Sequence, residues 1–70
     1  MSLEECIEVY LKARMPGLYY ALSLVARIEH RAEFEELLVR DRWKALSTAR
    51  KLYGEEATSF LLKVLEEACF

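Results

Sequence analysis

The chain has no asparagine, no glutamine and a single aspartate, Asp41, so Glu, Lys and Arg carry nearly all of its polarity. Scarce thermolabile amides beside abundant Glu, Lys and Arg are the bias expected of a thermophilic source. Histidine also occurs once, as His30. A di-metal centre in a helical bundle draws on two Glu-x-x-His motifs plus further carboxylates. Here the position three before His30 is Arg27, so Glu29, Glu33 and Glu36 read as a solvated ion-pair face, and no metal or other cofactor is expected. The longest apolar run, Leu18 to Ala26, is interrupted by Ser23 and is well short of the roughly 20 residues that cross a bilayer. No basic flank precedes an uninterrupted apolar core, so no secretory leader is recognised and a cytoplasmic address without a membrane partner is expected.

Nucleophilic catalysis needs a base beside the nucleophile. Cys6 and Cys69 have no histidine near them in sequence, and Ser47-Thr48 falls in the middle of a helical stretch without one. The chain is therefore not expected to be an enzyme. Both cysteines fall on apolar helix faces, where a free cysteine acts as a small hydrophobe. That reading is the expectation, with a Cys6–Cys69 disulfide as the alternative, since thermophile interiors are an exception to the reducing rule.

Seventy residues make one domain, residues 1–70, near the lower limit at which a single core holds a chain together. Yet 54% of the residues are apolar. A domain this small buries only about 60% of what its unfolded chain exposes, so much of that apolar surface stays outside. Pairing with a second copy removes it, and a homodimer is expected.

Local signals divide the chain into helices. Ser2-Leu3-Glu4-Glu5 fits a capping box. Leu3, Cys6, Ile7, Tyr10 and Leu11 then follow the helical period, up to about Arg14. Pro16 disfavours helical geometry at Met15 and suits the first turn of a second helix. From Leu18 to Ile28 that helix is apolar almost all round, which requires cover on every side. Leu18, Tyr19, Tyr20 and Leu24 are the expected dimer contact. The charged stretch after Ile28 either continues the helix to about Leu38 or breaks near His30 into a short helix ending at Val39. Asp41 reads as the N-cap of a helix carrying Trp43, Leu46, Ala49 and Leu52/Tyr53 on one side. Gly54 is placed to end it in the left-handed conformation. A last helix opens at Glu55 or Glu56 with the stripe Ala57, Phe60, Leu61, Val64, Leu65 and Ala68. The expected fold is all-α, a compact bundle of four or five short helices, dimeric.

The most basic window holds Arg40, Arg42, Lys44, Arg50 and Lys51 against Asp41 alone. It is a candidate contact for an anion or a protein partner. With Gly54 and the flanking helices it also invites a helix-turn-helix reading as a DNA-binding regulator. Against nucleic acid, the last helix carries Glu55, Glu56, Glu66 and Glu67 against Lys63, and the net charge of the chain is −2. That helix also lacks the Arg, Asn and Gln side chains that read base edges. The stretch Asp41-x-Trp43-x-Ala45-Leu46, Lys51-Leu52-Tyr53-Gly54-Glu55-x-Ala57 and Leu61-Leu62-x-x-Leu65-Glu66 resembles the C-terminal half of small archaeal helical domains of unknown function. Those domains are sometimes described as signalling output domains, and in them an aromatic-Gly-acid turn joins two closing helices. The resemblance implies an archaeal all-α domain and carries over no catalytic residue. The resulting expectation is a non-enzymatic interaction or regulatory module acting as a homodimer, with the DNA-binding regulator as the alternative.

Overall fold

In the computed structural model, which describes residues 1–70, four helices follow one another: α1 (Leu3–Arg14), α2 (Pro16–His30), α3 (Phe34–Arg40) and α4 (Arg42–Ala68). The start of α1 is fixed by the capping box. Ser2 Oγ accepts from the Glu5 amide at 3.1 Å, and the Glu5 carboxylate accepts from the Ser2 amide at 3.4 Å. Met15 is the single residue between α1 and α2, with Pro16 in the first turn of α2. Of the two outcomes left open for the charged stretch, the break is the one found. Arg31 takes the left-handed conformation (φ 53°, ψ 40°) and closes α2. Glu33 then opens α3, with its amide donating to the Glu36 carboxylate at 3.2 Å.

Gly54 has positive φ (89°), but its ψ of 176° is extended rather than left-handed helical. It therefore bends α4 into two arms without a loop between them. Arg50 Nε lies 2.9 Å from Glu55 across this bend, an ion pair that is not aligned as a hydrogen bond.

The core is one cluster to which every helix contributes: Ile7 and Leu11; Tyr19, Leu22 and Ala26; Phe34, Leu37 and Leu38; and Ala45, Ala49, Leu61 and Leu65. On α4 the inward face differs from the expected stripes. Ala45, Thr48 and Ala49 face in on the first arm, and Thr58, Leu61 and Leu65 on the second. Trp43 and Phe60 point out, 74% and 64% exposed. At 100° per residue, Trp43 lies about 160° round the helix from Ala45, and Phe60 about 160° round from Thr58. Small residues on the inner line let α4 approach its neighbours closely. The two buried threonines cost little, because each hydroxyl donates to the carbonyl four residues back: Thr48 to Lys44 at 3.0 Å and Thr58 to Gly54 at 2.7 Å.

The two cysteines are joined as a disulfide with 5.8 Å between their Cα atoms, so the expectation of free thiols is corrected. The end of α4 packs back on the first turns of α1 and brings the two residues within bridging reach. A bridge spanning 63 positions in sequence restricts the unfolded chain by roughly 4 kcal/mol in the loop-entropy account. For a domain of this size that is a large share of total stability. The chain exposes 4482 Å², close to the about 4500 Å² that a folded monomer of 8.2 kDa presents. The single chain is thus fully closed. What distinguishes its surface is composition, not area.

Candidate functional site: a cleft beside α2 and the apolar row along its outer face

The two sides of α2 build two different features. On the inner side, Tyr19 is 8% exposed and Leu22 and Ala26 are fully buried. Tyr19 therefore belongs to the core of its own chain, a correction to its expected place on a dimer face. Leu18 is half-buried and also packs against the core. On the outer side stand Tyr20, 70% exposed, Leu24, 47%, and Ile28, 72%. With Gly17, which meets open space, they fall within a sector of about 80° at 100° per residue. Of the four residues expected at a dimer contact, Tyr20 and Leu24 remain on this surface. Ile28 joins them, missed because it was read as the end of a greasy stretch rather than as the i+4 neighbour of Leu24.

A cavity of about 640 Å³ opens between α1, α2 and α3, within the range of small-molecule sites. Its floor is polar. The Tyr19 hydroxyl donates to the Glu35 carboxylate, 2.8 Å from one oxygen and 3.1 Å from the other. Glu35 is only 7% exposed, and no Lys, Arg or His nitrogen comes within 4.0 Å of it. Burial pushes the Tyr19 phenol up to about 12, since the phenolate would have to lose its water; the Glu35 hydrogen bond adds to the rise and the nearby Ser23 hydroxyl opposes it. Ser23, 7% exposed, also lies on the cavity wall, and its Oγ, beside the Tyr19 hydroxyl, makes no aligned hydrogen bond.

The rim carries two closed ion pairs. Lys12 Nζ sits 2.7 Å from Glu8 one turn back on α1. This hydrogen bond, then the charge of Glu8, holds the Lys12 ammonium above its usual range. The Arg27 guanidinium grips Glu33 with two parallel bonds of 3.0 Å each, which raises its affinity for the proton in the same way. Pro16, Tyr20 and Leu24 supply the apolar wall. Sequence reasoning missed Glu35. The available signal was its position beside Phe34 and three residues before Leu38, which places it at the edge of the α3 core line.

The basic window does not form a free cationic surface. Arg40 lies 3.9 Å from both Glu4 and Glu36, Lys44 3.7 Å from Asp41, Arg50 2.9 Å from Glu55, and Lys51 3.5 Å from Glu29. Arg42 alone faces no carboxylate, and its guanidinium lies over the Phe70 ring at 5.1 Å. No group of three His, Cys, Asp or Glu side chains gathers in metal-holding geometry. The one carboxylate within 4.0 Å of His30 is Glu29. No helix is long and apolar enough to cross a membrane.

Comparison with known proteins adds nothing to this geometry: no family model, no curated protein and no solved structure matches the chain.

Proposed function

We propose that this chain is a non-enzymatic interaction module that pairs with a second copy of itself along the outer face of α2. The observation that carries the reading is the row Tyr20, Leu24 and Ile28, three large apolar side chains in register and exposed on a chain already closed around its own core. Exposed apolar rows of this kind are a feature of protein-contact surfaces. A two-fold contact brings the same patch together from both sides. Antiparallel pairing centred on Leu24 sets Tyr20 against Ile28 of the partner subunit. A specific interface takes about 800 Å² from each partner, a little under a fifth of the 4482 Å² that this chain exposes.

Against the DNA-binding alternative stand two features. Four of the five cations in the basic window already face carboxylates, and a single residue, Gly54, joins the two arms of α4 where a helix-turn-helix needs a turn of three or four.

The register gives the test. A Leu24→Cys chain under mild oxidation is expected to cross-link into a covalent dimer, because the axis brings the two copies of position 24 together. A Trp43→Cys chain, altered at an exposed position of α4, is expected to stay single. Equal cross-linking of both variants, or of neither, would refute the proposed face.

A further inference from the structure

We infer that the cleft between α1, α2 and α3 is a binding site for a small organic cation, an ammonium or guanidinium carried on a short apolar stem. The inference stands on the cavity floor and not on self-association.

Glu35 is more than nine-tenths buried, and its carboxylate is held by the Tyr19 hydroxyl with no Lys, Arg or His nitrogen within 4.0 Å. A buried carboxylate is ordinarily paired. Both rim cations make their ion pairs elsewhere, Lys12 with Glu8 and Arg27 with Glu33, and act on Glu35 only from beyond pairing distance. Among the ionisable side chains of the cleft, three carboxylates face two cations, and the carboxylate left without an ion pair is the buried Glu35. One phenolic hydrogen shared between two oxygens leaves further lone pairs of Glu35 unused.

Ser23 is the second sign. It is more than nine-tenths buried, forms part of the cavity wall, and its hydroxyl oxygen lies beside the Tyr19 hydroxyl without an aligned hydrogen bond. Unpaired buried hydroxyls are uncommon because each costs the desolvation of its oxygen. An incoming N–H group would offer that oxygen a donor while meeting the Glu35 carboxylate. Above this floor, Tyr20, Leu24 and Pro16 form an apolar wall. The Tyr20 ring can also receive a cation on its face. The chemistry selected is a compact positive head with N–H donors, followed by a few methylenes.

The test is a titration of the native, disulfide-bonded chain followed by NMR, with three probes of one size: n-butylammonium, butan-1-ol and butyrate, at fixed pH and ionic strength. Saturable shifts at Ser23 and Glu35 with n-butylammonium are expected, with the alcohol and the carboxylate at least about tenfold weaker. Glu35→Gln keeps an acceptor for Tyr19 and removes the charge, and it should abolish the preference for the ammonium. Ile28→Glu, outside the cleft and on the pairing row, should leave n-butylammonium binding in place. This separates a failure here from a failure of the dimer reading. Equal binding of ammonium and alcohol would make the cleft a mere apolar slot, and preference for butyrate would make its rim an anion site. Either result overturns the inference, as does ammonium binding that survives in Glu35→Gln. Should Glu35→Gln fail to fold, the contrast among the three probes on the native chain still decides.

Discussion

The inner and outer faces of α2 are nearly alike in composition and opposite in circumstance. Tyr19, Leu22 and Ala26 point inward and are sealed; Tyr20, Leu24 and Ile28 point outward and stand in water. Each face has an aromatic phenol near its start and aliphatic residues along its length. The difference lies in what the neighbouring helices supply. The inner face meets α1, α3 and α4, including the carboxylate that accepts from Tyr19. The outer face is left uncovered by the other helices, apart from the cleft that Tyr20 and Leu24 border. Hydrophobicity around a helix states how much cover it wants, while the direction from which cover comes depends on the other helices.

The largest expected effect contrasts one leucine from each face. Leu22→Ala opens a cavity in a fully buried position and should cost about 2–5 kcal/mol. Leu24→Ala, made in the Ile28→Glu background so that pairing contributes nothing, should stay within about 0.5 kcal/mol. Denaturant midpoints of the two variants check the difference, and similar losses at both positions would erase the distinction between the faces.

The two tyrosines sharpen the contrast by pH. The folded Tyr19 phenol is held up to about 12 against the ordinary 10.0, so the folded chain binds the extra proton between those values. Its contribution is complete below about pH 10 and is lost as pH climbs through 12. The loss amounts to roughly 2–3 kcal/mol. Tyr19→Phe removes that alkaline slope. It also leaves Glu35 without its donor, at a cost of about 1–3 kcal/mol at neutral pH. Tyr20→Phe on the open face should change neither quantity measurably. Chemical denaturation of the two variants at pH 9 and near pH 12 provides the comparison.

Much of the fold was legible in local chemistry. Ser2 with Glu5, Pro16, and Asp41, whose side chain accepts from the Lys44 amide at 3.4 Å, each mark a helix start through groups a few residues apart. The break after His30 was open because Arg31 is not a residue that announces a left-handed turn. The turn is supported by the Arg27–Glu33 fork and the Glu33–Glu36 bond, which close it from both sides. Trp43 and Phe60 fall in helically spaced stripes with Leu46 and Leu61, so the pattern alone puts them inward. In the fold, the close approach of α4 favours the smaller Ala45, Ala49 and Thr58 instead. The disulfide and the Tyr19–Glu35 floor join residues 63 and 16 positions apart, a kind of proximity that no local pattern encodes.

Of the candidate site, Tyr20 and Leu24 were legible as apolar residues in excess of what a short chain can cover. Glu35 and Ser23 were not. A carboxylate in a charged run and a serine in a greasy one both read as ordinary until packing encloses them.

The outer face of α2 is expected to meet a second copy in water. Sedimentation equilibrium over a range of concentrations is the direct measurement, on the native chain and on Ile28→Glu. The native chain should approach twice its 8.2 kDa mass as concentration rises. Ile28→Glu should remain a single chain with an unchanged helical spectrum. A native chain that stays at one mass throughout, or an Ile28→Glu variant that pairs as tightly as the native chain, would contradict it.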